Sequence, residues 1–386
     1  MTIKTLKYLL FTGTMLPVGS FQTAQATPPT GYTWNTMISD DFNSFNTSIW
    51  GSGSTPWGSE YQSDCTIIPA ADTYTSGGSL VLRSRLGPFT GATGKSFTYS
   101  SGWAWTKQRL TYGYMEIYAQ YPNNLGAWPA FWMLGEGWPP EIDVAEYKGP
   151  TTGKMTTALY DSNSTWNSTE TSGTYTGWRT YGLDWQVGSL KFYVDGVLKK
   201  TITGSSVPSI PMYVILSNGT NCDLSNGTGF PNYYNVSYFR WYQRATGGLA
   251  NGTYSLKNRA TGKMLDNLGS TTSGTNVGQW TDGTSNNQKW TVTSTGGYSK
   301  LMCVNGSKYL DSLGHTTESS TVGQLTSSTS NNQQWLIQPI GNGYFYIFNR
   351  ANGWYLDSTG SSSDGAISIF YRGNGNYNQQ WQFVTP

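Results

Sequence analysis

The 386-residue chain is poor in histidine, cysteine and charge. Its one histidine, His315, lies in the second half, so a Ser-His-Asp triad in the first half and a histidine-rich zinc site are both excluded. Charged residues make up 11% and the formal net charge is +2, with no basic block. A nucleic-acid-binding face needs clustered positive charge, so no nucleic-acid partner is expected. Long apolar runs are missing except at the N-terminus, where Lys4 and Lys7 precede an apolar stretch from Tyr8 to Val18 and Ala24-Gln25-Ala26 offers a small-x-small cleavage site. That reads as a signal peptide over residues 1–26, and no other segment reaches the roughly 18 apolar residues of a membrane helix. The expectation is a secreted (extracellular or periplasmic) protein with no membrane partner. No metal-ligand cluster or cofactor motif stands out, and neither is expected.

Of the three cysteines, Cys65 and Cys222 fall in the first half and Cys303 in the second. An oxidising compartment allows one disulfide. Spacing alone leaves the pairing open, and Cys303 is expected to be a buried free thiol.

What is abundant is equally informative. Aromatic residues make up 15%, with 17 Trp and 27 Tyr, and there are 47 glycines. Short alternating runs such as "SLVLRSRL", "GYMEIYAQYP" and "PMYVILSN" are separated by turn residues, and no convincing amphipathic helix is found. Uncharged polar surface rich in aromatics suits a neutral ligand such as a sugar. The length favours two domains. The second half repeats: Asp266, Asp311 and Asp357 in "KMLDN", "KYLDS" and "WYLDS" are spaced by 45 and 46 residues, as are Trp290, Trp335 and Trp381 in "NNQKW", "NNQQW" and "NQQW". Two concordant periods indicate a threefold all-β unit over 250–386. Residues 245–249 read as a linker. Residues 27–244 show no repeat and read as two packed antiparallel sheets.

Within that first unit, "WPPEIDVAEYKG" places Glu141, Asp143 and Glu146 in six residues of an apolar, Trp-rich segment. On a strand Glu141 and Asp143 share one face while Ile142 and Val144 face the core. Glu146 is an odd step away, and a β-bulge around Val144-Ala145 would return it to the acidic face. A retaining glycosidase needs two carboxyl groups roughly 5–5.5 Å apart, whereas four regular strand steps span about 13 Å. The outer glutamates must therefore lean together across a concave sheet. Crowded carboxyls do not all ionise, so one keeps its proton near neutral pH.

"EIDVAE" resembles the E-x-D-x-x-E signature of glycoside hydrolase family 16, and "AWPAFWML", "TYGYMEIYAQYP" and "YGLDWQVGSLKFYVDG" resemble its laminarinase-like members. The resemblance implies a β-jelly-roll with an open cleft, with Glu141 as nucleophile, Glu146 as acid/base and Asp143 assisting. It further implies sugar stacking on Trp128 and Trp138, with Trp103 and Trp105 as further candidates. The chain departs from the pattern where relatives often carry histidine: "MTTALYDSNS" has none, and Arg179 stands in "GWRTYGLDW". "ILSNGTNC" also differs from the usual "LNLAVGG". The cleft lining, and so the substrate, has changed.

The repeats resemble the ricin-type β-trefoil of family 13 carbohydrate-binding modules, which implies buried tryptophans at Trp290, Trp335 and Trp381. It also implies sugar sites at Asp266, Trp280 and Asn287 in lobe one and at Asp357, Phe370 and Asn378 in lobe three, with Tyr371 as the alternative to Phe370. Lobe two has Asp311 and Asn332 but Leu325 in the aromatic position, and is expected to bind weakly or not at all. The expectation is a monomeric all-β endo-glycosidase acting on a polysaccharide, first β-1,3-glucan, alternatively a β-galactan, agar or exopolysaccharide. A silent lectin-like binding protein is the alternative of another class.

Overall fold

A computed structural model describes residues 29–148, 153–223, 228–244 and 249–386. The expected signal peptide, and all of the expected linker except Leu249, lie outside these residues. Nearly every described element is a strand. Two sheets occupy the first part of the chain. One is built around the antiparallel strands Gly113–Gln120, Trp178–Gln186, Asn232–Arg244 and Ser79–Thr90. The other has seven strands in the order Trp166–Ser172, Lys154–Tyr160, Glu141–Tyr147, Ala127–Leu134, Tyr213–Thr220, Trp103–Thr106 and Trp50–Ser52. Alternation sends Ile142, Phe131, Met133, Leu159 and Leu216 inward, where they meet Met115, Ile117, Leu183 and Phe239 of the first sheet. The opposite face of the seven-stranded sheet carries the acids. Cys65 and Cys222 form a disulfide that ties the segment before strand Thr66–Ile67 to the end of Tyr213–Thr220.

Residues 252–384 form a third sheet system with threefold character. Each copy ends in a short 3-10 turn, Asn286–Gln288, Asn331–Gln333 or Tyr377–Gln379. The buried tryptophan that follows donates its indole N–H to the leucine carbonyl of its own "LD" strand: Trp290 to Leu265, Trp335 to Leu310 and Trp381 to Leu356, each at 3.0 Å. Three apolar rings thus fill one core while each polar N–H is satisfied. Cys303 is a free, buried thiol in this core, and burial pushes its pKa up to about 12.

The trefoil is pressed against the sandwich. Tyr298, Leu336, Tyr346, Phe348 and Tyr355 join the sandwich core, with Phe348 edge-on to Trp241 at 6.1 Å. Gln338 Nε2 donates to the Thr111 carbonyl at 2.5 Å, and Tyr355 Oη donates to that of Arg109 at 3.0 Å. The Arg109 guanidinium in turn donates to the Gly373 carbonyl at 2.9 Å. Apolar burial with matched hydrogen bonds makes this a structural contact rather than a loose tether.

Candidate active site

The strand Glu141–Tyr147 lies between Ala127–Leu134 and Lys154–Tyr160. Its register shifts between Asp143 and Glu146: Asp143 pairs with Trp132 and Ala158, whereas Glu146 pairs with Ala130 and Thr156. Trp132 and Ala130 are two residues apart and share a face, so the extra residue brings Glu146 onto the face of Asp143. Val144 and Ala145 are both buried inward at the bulge, and Tyr121 Oη donates to the Ala145 carbonyl at 3.1 Å.

Glu141, Asp143 and Glu146 therefore stand on one face, and their environments differ. Asp143 is 2% exposed, and its Oδ2 is buried with no donor facing it. Burial pushes its pKa well above the usual carboxylate range, and the charges of Glu141 and Glu146 and the hydrogen bond it shares with Glu141 push the same way. Burial raises Glu141 too, as does the charge of Glu146, while hydrogen bonds from Asp143 and Trp138 pull it back. The proton thus sits on Asp143, which donates to an ionised Glu141. Glu146 pairs with Lys148 at 3.2 Å.

The expected tryptophans divide. Trp138 is 55% exposed beside Glu141, edge-on to Tyr160 at 5.5 Å. Trp128 is half-buried, and the Lys148 ammonium sits 4.7 Å over its ring. Trp103 is corrected: it is only 2% exposed, with its indole N–H held by Ser101 Oγ at 3.0 Å, so it has no free ring face for a sugar. The rings that flank it are Trp132 and the exposed Trp57, both edge-on to it. Trp105 is half-buried against Tyr213, with its N–H on the Ser54 carbonyl at 2.9 Å. Trp132, Tyr160 and Trp166, which sequence reasoning missed, share the acidic face: Tyr160 pairs with Glu141 and with Trp166. Among the described residues no cluster of three metal-ligating side chains is found.

In the trefoil, register places equivalent residues without ambiguity. Met264 pairs with Trp280, Tyr309 with Leu325 and Tyr355 with Tyr371. Phe370 is corrected: it occupies the position of Gln279 and Gln324, is fully buried, and stacks on Trp335 in the core. Tyr371, half-buried, holds the aromatic position, 14 positions after the lobe's Asp as in the other two lobes. In lobe three Asn378 Nδ2 lies 2.7 Å from both Asp357 oxygens, and Gln379 Nε2 adds a bond at 3.0 Å. In lobe one the Asp266 carboxylate accepts from Gln288 Nε2 and Leu268 N, Asn287 is half-buried, and Trp280 is 47% exposed.

Comparison with known proteins agrees with this picture. A family model for glycosyl hydrolases family 16 matches residues 60–238, and one for ricin-type β-trefoil lectin domain-like sequences matches 237–326, 286–371 and 331–386. An endo-1,3-1,4-β-glycanase of Rhizobium meliloti is 32% identical over 31% of this chain and 28% of its own length. A keratan-sulfate endo-1,4-β-galactosidase of Sphingobacterium multivorum is 28% identical over 53% of this chain and 54% of its own. The chain therefore spans about a quarter to a half of these two relatives. The structure of a non-specific endo-β-1,3(4)-glucanase from family GH16 matches 57% of this chain and 94% of its own at a TM-score of 0.50 and 23% identity, which supports the jelly-roll fold of the sandwich. Residues 60–238 are a glycosyl hydrolase family 16 domain, joined to a ricin-type β-trefoil lectin-like domain.

Proposed function

We propose that the protein is an exported, monomeric endo-glycosidase that cleaves internal β-linkages of a neutral polysaccharide with retention, first of all β-1,3-glucan. The observation that carries this reading is the bulged strand with Glu141 and Glu146 on either side of a buried Asp143. Glu141, ionised by the hydrogen bond from Asp143, attacks the anomeric carbon. Glu146, which pairs with Lys148 when ionised and must take up a proton before it acts, gives that proton to the departing glycosidic oxygen as that bond breaks. A water then enters, loses its proton to Glu146, and displaces Glu141 from the sugar. Each step returns its proton, so no cofactor is consumed. The trefoil pockets, with Trp280 in lobe one and Tyr371 in lobe three, supply sugar contacts that raise local concentration on polymer. The Cys65–Cys222 disulfide fits an oxidising compartment outside the cytoplasm, and mature protein should start after Ala26.

A β-galactan substrate is the second reading. The similarity to the keratan-sulfate endo-1,4-β-galactosidase and to a galactan endo-β-1,3-galactanase of Flammulina velutipes, 27% identical over 50% of this chain, favours it. The test is a reducing-end assay on laminarin, mixed-linkage glucan, agarose, carrageenan and β-1,3-galactan, with the first-formed anomer read by NMR. Release of β-anomeric product from one polymer supports the proposal. An α-anomeric first product defeats retention, and silence on every polymer favours the lectin-like alternative.

A further inference from the structure

The acidic strand is not the edge of its sheet. Two strands continue past it, Lys154–Tyr160 and Trp166–Ser172. Their register puts Glu141, Tyr160 and Trp166 in one row across three neighbouring strands, and directly paired residues share a face. Tyr160 and Trp166 lie 4.1 Å apart between ring centroids at 43°, and Trp138 meets Tyr160 at 5.5 Å and 60°. Trp166 and Trp138 stay 43% and 55% exposed. Three large rings in contact around an open face, beginning beside a carboxylate, are unusual on a surface with no reason to be dry. Burial raises the Tyr160 phenol pKa, and the charge of Glu141 beside it pushes the same way, which fits a row that begins at the acids.

Resting on the glycosidase reading above, we infer that Trp166, with Tyr160 against it and Trp138 against Tyr160, is a specificity-determining stacking site. It takes a neutral pyranose ring, through its apolar C–H face, on the side of the scissile bond that runs over strands Lys154–Tyr160 and Trp166–Ser172. The tilted rings form a shallow angled cradle rather than a flat shelf, so they select a chain that bends as it leaves the acids. A β-1,3-linked chain bends in this way, and a straight β-1,4-linked one does not. Trp166 touches substrate but not the reacting atoms, so it acts on binding more than on the chemical step.

The experiment compares wild type, Trp166→Ala and Trp166→Phe on the polymer that wild type hydrolyses and on oligosaccharides of the same linkage from two to seven units. Titration of the seven-unit oligosaccharide into the Glu141→Gln protein, with and without Trp166→Ala, runs alongside. Expected are a fall in kcat/KM of about 5–10-fold in Trp166→Ala, carried by KM, near-full recovery in Trp166→Phe, and a matching loss of affinity in the Glu141→Gln background. The effect should vanish for oligosaccharides too short to pass the acids. An unchanged KM and affinity, with only the melting temperature moved, overturns the inference and leaves Trp166 as a cover for Tyr160. If wild type hydrolyses nothing, the glycosidase reading fails separately. Titration of the five polymers' seven-unit oligosaccharides into wild type and Trp166→Ala then decides, and binding that ignores Trp166 sinks the stacking site.

Discussion

Asp143→Asn should make the protein more stable as pH rises, even as it impairs turnover. Asp143 is buried, its Oδ2 has no donor, and the charges of Glu141 and Glu146 face it, so its folded pKa stands well above the ordinary 3.8. For an acid with a raised folded pKa, the native state keeps a proton that the unfolded chain has lost. Folding stability is then full below pH 3.8 and falls as pH climbs toward the folded pKa. The slope for one proton is about 1.4 kcal/mol per pH unit. In a unit of 150–250 residues that amounts to about 3–6 °C in melting temperature per unit. Asparagine keeps the shape and still donates to Glu141, but carries no proton to lose. Melting of wild type and Asp143→Asn should therefore nearly coincide at pH 4 and diverge in favour of the variant from pH 5 upward. Curves that stay parallel across the range, or a variant that loses ground as pH rises, would mean that Asp143 is ionised in the folded protein.

Three further outcomes follow from the same structure. Phe370→Ala should cost about 3–5 kcal/mol in trefoil stability by opening the core beside Trp335, whereas Tyr371→Ala should leave melting nearly unchanged and weaken galactose or glucose binding in lobe three; calorimetric titration with melting curves separates the two. Cys65→Ser with Cys222→Ser removes a link across 157 residues of sequence and should lower stability by about 2–5 kcal/mol, read by denaturant unfolding under oxidising conditions. Phe348→Ala, at the joint between the two domains, should turn one thermal transition into two while costing about 3–5 kcal/mol; a single unbroken transition would show the sandwich and trefoil to be coupled elsewhere.

Much of this was legible in the sequence, and the reasons are specific. Glu141 and Asp143 share a parity that any strand imposes, and the odd offset of Glu146 called for a bulge, which the register shift between Asp143 and Glu146 supplies. The trefoil tryptophans were visible because their period matched that of the "LD" aspartates. What stayed hidden depends on partners remote in sequence. Tyr160 and Trp166 join the acids only through cross-strand register, which strand composition does not reveal. Trp103 lies on the acidic side of its sheet, yet Trp57, from a loop more than forty residues earlier, lies against it. Phe370 and Tyr371 are adjacent aromatics, and one step along a strand exchanges core for surface, so composition alone does not choose between them. The joint between domains is hidden because it pairs residues remote along the chain, Phe348 with Trp241 and Tyr355 with Arg109.

The most direct measurement is hydrolysis by Glu141→Gln beside wild type, on whichever polymer wild type cleaves, with binding of that polymer measured in parallel. The loss of a carboxylate nucleophile should cut kcat by about 10³-fold or more while leaving polymer binding intact, because the trefoil and the cleft rings are untouched. A Glu141→Gln protein that still turns over at close to the wild-type rate would contradict the assignment of the acidic strand as the reaction centre.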